Sequence, residues 1–263
     1  MKKSWFELSL LVVSALFFVF TVLVVFTLFT TTSLKELLHE LRSFTVASAI
    51  WISLETSFAV VVLTFFLGLP VAWLLALKEF KGKEVLDTLI DIPIVLPPLV
   101  SGLALLIMLG GTGIVGKVLN QWGLRIIFTK KGIILAQFFV AAPFFVKTVK
   151  ETIKNIPKNL LSASATLGAS EFYTFRKVIL PMSKSGIMAG LVMTWARAIG
   201  EFGATAMVAG CLPGKTETMT IAIYMQAMGG SLSSAGALAL ILTVFSFLSL
   251  LIFKVKLQNE PSA

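Results

Sequence analysis

Two ionisable residues four positions apart are the clearest candidates for chemistry within an apolar segment of this sequence. Arg197 and Glu201 lie in the run from Trp195 to Thr205, and their i, i+4 spacing places them on one helix face, where they can pair. Ionised groups inside a membrane are costly and usually face a bundle interior or water. Arg197 would offer an anion a permanent charge and five N–H donors. A pathway or gate role, shared with Gly203 and Thr205, and a purely structural ion pair are both open.

A second candidate, from Gly111 to Lys117, matches most of a phosphate-binding P-loop. That pattern requires Ser or Thr after the lysine to hold magnesium, and Val118 stands at this position. The segment also follows an apolar helix and not a strand. We therefore reject a nucleotide site and expect no ATPase in this sequence. The glycines are predicted to form a turn at the outer end of a helix.

A polar, basic segment at 156–181, here named the docking loop, interrupts the apolar sequence. Pro157 can begin a helix, and Gly168 can end one by adopting positive φ. The residues between them predict a short helix with small side chains, suited to lie in a cleft of another protein. Its candidate docking residues are Leu160, Leu161, Ser162, Ala163, Ser164, Leu167, Gly168 and Ala169.

The composition is that of an integral membrane protein. Hydrophobic residues make up 57% of the 263 positions and charged residues 13%, whereas a soluble domain has about 45–50% and about 25%. One cysteine, Cys211, excludes an internal disulfide, and one histidine, His39, excludes a multi-histidine metal site. Both are predicted to lie in loops. The net charge of +9 is clustered between apolar segments, which argues against binding to nucleic acid.

We predict an all-α membrane protein with six transmembrane helices, at about 6–30, 46–77, 89–109, 132–150, 185–209 and 234–253. Each can supply the ~20 apolar residues that cross a bilayer. With the N-terminus inside, 14 Lys and Arg residues lie on the inner side and 7 on the outer side. This bias predicts that both termini are cytoplasmic and that the docking loop is a cytoplasmic connection between spans four and five.

The chain is predicted to divide into a first helix with its outer loop at 1–44, a transmembrane core at 45–253 and a cytoplasmic tail at 254–263. The charge-free run from Leu8 to Phe29 is longer than a signal-peptide core, so we expect an uncleaved first helix. The segment 218–230 is apolar but too short to span, and an outer or re-entrant helix is predicted there.

Prolines and glycines give further predictions about helix ends and contacts. Pro93, Pro97 and Pro98 cannot continue a helix from upstream but can start one at Leu99. A broken helix beside a pathway is one interpretation, and we favour a simple interfacial helix start. Gly186 and Gly190 have the GxxxG spacing that permits close helix packing, in line with a pore or dimer axis.

The docking loop resembles the EAA loop of ABC-importer permeases, whose pattern is E-A-A-x-x-x-G, nine residues, then I-x-L-P. Ala163, Gly168 and the run Val178-Ile179-Leu180-Pro181 match at the right spacing, whereas Ser162 and Ser164 replace the Glu and the second Ala. In that family the loop is the coupling helix that docks into the ATPase subunit. The resemblance covers roughly residues 45 to 253.

Shorter motifs are similar to the molybdate/tungstate and sulfate branch of these permeases. They are Phe80-Lys81-Gly82-Lys83, Leu96-Pro97-Pro98, Leu167-Gly168-Ala169-Ser170 and the run from Ala196 to Thr205. The resemblance implies a homodimer in the cell membrane, above two ABC ATPase subunits and supplied by an extracytoplasmic binding protein that captures a tetrahedral oxyanion. It also implies no catalytic site and no cofactor in this chain, with ATP and Mg used by the ATPase.

Two alternatives remain open at this point. A sulfate or thiosulfate permease of the same family would have the same architecture. A secondary anion transporter is more remote: it would couple to protons or sodium through an intramembrane carboxylate, for which Glu201 is the central candidate, and would not need the docking loop. A membrane-embedded enzyme would need a cluster of catalytic side chains, which the sequence does not suggest.

Overall fold

A computed structural model describes residues 5–258, and all regular secondary structure in that range is helical, which confirms the all-α class. The helices are α1 Trp5–Thr31, α2 Leu34–Arg42, α3 Phe44–Leu77, α4 Lys83–Val95, α5 Pro98–Leu109, α6 Ile114–Gln121, α7 Lys130–Lys154, α8 Lys158–Thr166, α9 Glu171–Thr174, α10 Leu180–Met182, α11 Lys184–Ile199, α12 Gly203–Ala209, α13 Met219–Met228 and α14 Leu232–Gln258. A π-helical turn, Phe175–Ile179, joins α9 to α10.

The apolar helices allow four to six membrane crossings, and the upper number is the predicted one. Four of them, α1, α3, α7 and α14, are each long and apolar enough to span. Six candidate spans result when two bent pairs are added, α4 with α5 and the Glu171–Met182 stretch with α11. The predicted tail at 254–263 begins within α14, and its residues 259–263 lie outside the described residues.

The third predicted span, 89–109, is two helices and not one. α4 and α5 meet at 112°, and the break falls at Leu96 and Pro97. Proline restrains the residue before it and has no backbone N–H, so it ends α4, whereas Pro98 fits the first turn of α5. Pro93 lies inside α4, so the prediction that it cannot continue a helix from upstream is wrong. The broken-helix interpretation therefore replaces the simple helix start.

The fifth predicted span, 185–209, is also interrupted. α11 ends at Ile199, the residues from Gly200 to Phe202 are not helical, and α12 begins at Gly203. The prediction of one continuous helix here is wrong. Because of this break, α11 and α12 need not share one helix axis, so their residues can differ in direction as well as in depth in the membrane.

The core of the fold is a bundle of α3, α7 and α11 held together at glycines. The ring of Phe145 on α7 is fully buried between Gly68 of α3 and Gly190 of α11. A Cβ at Gly68 would lie 2.8 Å from the Phe145 ring, and one at Gly190 would lie 3.0 Å from it. Gly186 lies against Thr152 in the same way. The GxxxG pair therefore packs on α7 of its own chain, and not at a pore or dimer axis.

Several local predictions can be compared with the structure. The short helix within 218–230 is confirmed as α13, which ends at Met228 and is followed by Gly229. The glycine turn before α6 is confirmed by a hydrogen bond from Gly113 N–H to the Gly110 carbonyl. His39 lies in α2 and not in a loop. The physical reason is a capping box, in which Ser33 and Glu36 each accept a hydrogen bond from the other's backbone N–H.

Replacing Gly186 with Ala should destabilise the contact between α7 and α11, because the added Cβ would lie 2.6 Å from Thr152 Cβ. Overpacking of this kind costs about 1–3 kcal/mol, and we expect a lower midpoint of thermal unfolding in detergent. Gly111→Ala is the matched control, since a Cβ there would be in ordinary contact, 3.5 Å from Asn120 Nδ2. Equal unfolding midpoints for the two variants would contradict this packing.

Candidate functional site

The helix predicted between Pro157 and Gly168 is present as α8. The chain before it is anchored by Ile156, which is buried in the core cluster formed by α3 and α7. Pro157 stands immediately before the first helical residue. At the other end, Gly168 adopts φ of 75°, and its N–H and that of Ala169 donate to the carbonyls of Ala165 and Ser164. This Schellman end requires positive φ, which glycine tolerates best.

The fold divides the eight predicted docking residues into two groups. The exposed group comprises Leu160, Ser162, Ala163, Leu167 and Gly168. In the second group, Leu161 packs on the core cluster, the Ser164 hydroxyl lies 2.6 Å from that of Thr174, and Ala169 is half-buried. Three of the eight residues therefore hold α8 in place, and the exposed five remain the candidates for contact with another protein.

The segment after α8 is tied to the C-terminal end of α3. Lys78 Nζ lies 2.5 Å from Glu171 Oε1 and 5.4 Å from the centre of the Trp73 ring. The hydroxyl of Ser170 accepts a hydrogen bond from Tyr173 N–H and so caps α9. Exposed ion pairs stabilise a fold by only about 0–1 kcal/mol. The Lys78 contact therefore serves mainly to position the docking loop.

A groove of about 790 Å³ lies beside α8, and we call it the α8 groove. Its lining residues are Leu160, Ala163, Ser164, Leu167, Gly168, Ala169, Ser170, Tyr173, Lys177 and Val178. The sequence analysis named Val178 only as part of the run that closes the docking loop, and it did not single out Tyr173 or Lys177. Their place within the docking loop was the available signal, and α9 and the π-helical turn bring them to the groove.

Two ion pairs join α4 to α7 just before the docking loop. Lys150 Nζ donates to both carboxylate oxygens of Asp87, at 2.7 and 2.9 Å, and Lys147 Nζ donates to Asp91 Oδ2 at 2.9 Å. Only 7% of the Lys150 side chain is exposed, so the loss of its Asp87 partner would cost more stability than the loss of a partner at a surface lysine. These contacts connect the helix that leads into α8 with the helix that leads, through the 112° bend, into α5.

Arg197 and Glu201 form the predicted ion pair, with Arg197 Nη1 2.5 Å from Glu201 Oε2. They do not share a continuous helix, because Glu201 lies in the break after α11. The Glu201 carboxylate is 1% exposed and also accepts a hydrogen bond from Ala204 N–H in the first turn of α12. Its backbone carbonyl accepts one from Thr220 Oγ1 of α13.

Glu201 therefore has a structural role at the meeting point of α11, α12 and α13. Arg197 differs from it, since 28% of its side chain is exposed and its guanidinium has further N–H donors. Of the predicted pair, Arg197 keeps part of its side chain accessible, and its contact with a solute stays a prediction.

Gly203 and Thr205, the other two pathway candidates, lie inside the chain's own helix packing. A Cβ at Gly203 would lie 3.1 Å from Leu99 N and from Pro98 Cβ, so this glycine lets α12 approach α5. Thr205 is fully buried, and its hydroxyl has no hydrogen-bond partner among the described residues. Both residues follow Arg197 by at most 8 positions in the sequence, but they pack against other helices of the chain. Their contact with a solute stays a prediction.

Cys211 lies in the connection between α12 and α13, as predicted. Burial raises the pKa of its thiol, and the Glu217 carboxylate raises it further, which lowers the thiolate fraction at neutral pH. Burial also raises the pKa of Glu217 above its ordinary value of 4.5. Within the part of the chain that the structure describes, His, Cys, Asp and Glu side chains form no group of three that could hold a metal ion.

Comparison with known proteins places this arrangement among transport components. A family model described as "binding-protein-dependent transport system inner membrane component" matches residues 66–257. The probable transport system permease protein NifC of Clostridium pasteurianum is 34% identical over 95% of this chain and 87% of its own. The molybdenum transport system permease protein ModB of Haemophilus influenzae is 40% identical over 78% of this chain and 90% of its own. A probable sulfate transport system permease protein, cysT of Chlorella vulgaris, is 33% identical over 84% of each.

Solved structures show the same fold at low sequence identity. A bacterial ABC transporter that imports alginate has a chain with a TM-score of 0.80 and 16% identity, covering 99% of this chain and 98% of that one. The MetNI methionine ABC transporter has a chain with a TM-score of 0.67 and 20% identity, covering 82% and 95%. The overall arrangement of the helices is therefore one seen in experimentally determined proteins.

Replacing Arg197 with Met should destabilise the α11–α12 junction, because it leaves the buried Glu201 carboxylate without its partner. Breaking a buried pair in this way costs about 3–5 kcal/mol, and we expect a clear fall in the unfolding midpoint. Adding Glu201→Gln removes the unpaired charge and keeps an oxygen that can accept from Ala204 N–H. The double variant should recover most of the lost stability; a double variant as unstable as Arg197→Met would contradict the role assigned to Glu201.

Proposed function

The chain belongs to the family of binding-protein-dependent transport system inner membrane components and is the permease subunit of an ABC importer; we propose that its cargo is a tetrahedral oxyanion, molybdate or tungstate. It is a multi-pass protein of the inner membrane. The observation that carries the cargo proposal is the 40% identity with a molybdenum permease over 90% of that protein's length. Sulfate permeases at 33% identity keep sulfate or thiosulfate as the alternative cargo.

An anionic cargo is supported by the chemistry of Arg197. Its guanidinium keeps its charge at any physiological pH and presents planar N–H donors that suit the oxygens of an oxyanion. One carboxylate contact fixes the group beside the break between α11 and α12, and part of the side chain stays accessible. A cationic solute would be repelled by such a group, and a neutral one would gain hydrogen bonds from it without the charge attraction.

The expected assembly is a homodimer of this chain with two ATPase subunits and an extracytoplasmic binding protein. The alginate transporter was solved with a substrate-bound periplasmic protein, and several relatives are named as permease components of transport systems. The permease would contribute no catalytic group, and ATP and Mg would be used by the ATPase. Family membership also removes the reason to propose a secondary anion transporter, since these proteins are components of binding-protein-dependent systems.

The contacts of the docking loop suggest how force from the ATPase would reach the membrane helices. Movement of α8 would pull directly on α7 through Ile156, and on α3 through Leu161, which packs on the core cluster that α3 shares. The pairs of Lys147 and Lys150 would pass the movement on to α4 and, across the bend, to α5. α5 packs on α12 at Gly203, next to the Arg197 junction. If the termini are cytoplasmic, as the charge bias predicts, α8 lies on the cytoplasmic side, where the ATPase would bind.

The cargo proposal is tested with the complete transporter in liposomes, with the binding protein loaded in turn with molybdate, tungstate or sulfate. We expect molybdate or tungstate to stimulate ATP hydrolysis and to be taken up, relative to the unloaded binding protein as control. Stimulation by sulfate alone would assign sulfate as the cargo in place of molybdate or tungstate. No response to any of the three would overturn the oxyanion proposal while leaving the permease fold unaffected.

The role of α8 is tested at the residue that ends it. Gly168→Val should weaken ATPase docking and uncouple ATP hydrolysis from uptake, because left-handed backbone costs a non-glycine residue roughly 1–2 kcal/mol, and more for a β-branched one. A Cβ at this position would meet no atom within 4 Å, so the effect would come from backbone conformation and not from a clash.

Gly168→Asn is the matched control, since asparagine tolerates left-handed backbone. It should retain most of the coupling that Gly168→Val loses. Equal and normal coupling in both variants would remove the docking role assigned to this helix end.

Uptake by the stabilised Arg197→Met/Glu201→Gln variant tests the role of Arg197. An assembled but inactive transporter would favour contact between Arg197 and the anion.

A further inference from the structure

The surface around α8 carries positive charge that the chain itself does not balance. Between residues 156 and 182 the charged side chains are Lys158, Glu171, Arg176 and Lys177. Glu171 is already bound to Lys78. Among the described residues, no carboxylate oxygen lies within 4.0 Å of the nitrogen atoms of the three basic side chains, and all three residues are exposed.

Lys177 differs from the other two cations because it lines the α8 groove. It shares the groove with apolar side chains that are unusually open to solvent: Leu167 is 86% exposed and Tyr173 is 56% exposed. Arg176, its neighbour in sequence, does not line the groove. The groove thus combines an exposed apolar wall with one unpaired ammonium group.

This combination limits the kind of surface that can cover the groove. Burying Leu167 and Tyr173 against another protein is favourable, at about 25 cal/mol per Å² of apolar surface removed from water. Burying the Lys177 ammonium without a partner would be costly, and a carboxylate is the acceptor that balances both its N–H groups and its charge. An entirely apolar surface, or a basic one, would leave the buried ammonium group without a partner.

We propose that the ATPase subunit covers the α8 groove with an apolar side chain and places a carboxylate against Lys177. The proposal rests on the assigned role of the chain as an ABC importer permease, and it names the chemistry of the partner surface. The ATPase is favoured over an anionic lipid as the occupant because the groove is continuous with the exposed face of α8, including Leu160 and Leu167. Selectivity for one ATPase over others then depends on an acidic residue of the ATPase.

The first test compares two charge reversals on adjacent residues. The probe is the ATPase subunit that co-purifies with the wild-type chain, titrated against purified permease in detergent without added lipid. Lys177→Glu should weaken binding about tenfold, equivalent to 1.4 kcal/mol. Arg176→Glu, which makes the same change of net charge outside the groove, should weaken it less than threefold. Equal losses in the two variants would mean that only the overall charge matters, and would overturn the proposal.

The second test detects the contact directly. A carbodiimide joins an amine to a carboxylate only when the two are in contact, so it should link Lys177 to an Asp or Glu of the ATPase, identified by mass spectrometry. Lys177→Arg keeps the positive charge and should still bind, but it has no amine and should lose the cross-link. Cross-linking of the ATPase to other lysines alone, with Lys177 unmodified, would contradict the assignment.

The outcomes separate this inference from the function on which it rests. If the wild-type chain binds no ATPase, the assembly proposed for the transporter fails as a whole. If the wild-type chain binds and Lys177→Glu binds equally well, only the carboxylate contact is wrong. A defect of Lys177→Glu that appears in vesicles with anionic lipid and is absent in detergent would assign Lys177 to the membrane surface, and would also overturn the proposal.

Discussion

Close packing around the ring of Phe145 is the constraint on which the rest of the structure depends. The ring fits only because Gly68 and Gly190 leave room for it on the two neighbouring helices. α7 is thereby fixed against both α3 and α11, and the remaining functional contacts start from α7: the ion pairs to α4, the packing against α12 and the direct continuation into α8. A membrane protein cannot rely on water to drive helices together, so small residues that permit close contact take over this role.

The second fixed point is Glu201, and it shows how one buried carboxylate can determine the path of the chain. It satisfies Arg197 on one side and the first turn of α12 on the other, while its carbonyl holds α13. A residue that makes these three buried contacts cannot move without leaving one of its partners unsatisfied. The break between α11 and α12 is therefore specified, and the guanidinium beside it is held in a constant position relative to α5.

Features encoded by neighbouring residues could be predicted from the sequence, whereas features that depend on contacts between distant segments could not. α8 was predictable because Pro157 and Gly168 are local signals for its two ends, and the long spans because apolar length is itself the signal. The break at Leu96 had a local signal in Pro97 and Pro98, although a simple helix start was favoured there. The break at Gly200 depends on the contacts of Glu201 with α12 and α13, which the sequence does not show. Contacts between distant segments could be seen only in the folded chain. Lys150 pairs with Asp87, 63 residues away, and Lys177 lines the α8 groove.

The short sequence separation of Arg197 and Glu201 has a consequence for how the protein is made. Each ionised group alone adds about 2.5–3.5 kcal/mol to the cost of placing a helix in the bilayer. Because the two are four residues apart, they can neutralise each other within a single nascent segment, before α5, α7 or α13 have packed around them. A pair formed from distant helices would have to enter the lipid as two separate charges. We therefore expect the local pair to lower the cost of inserting this segment before the tertiary structure that later encloses it has formed.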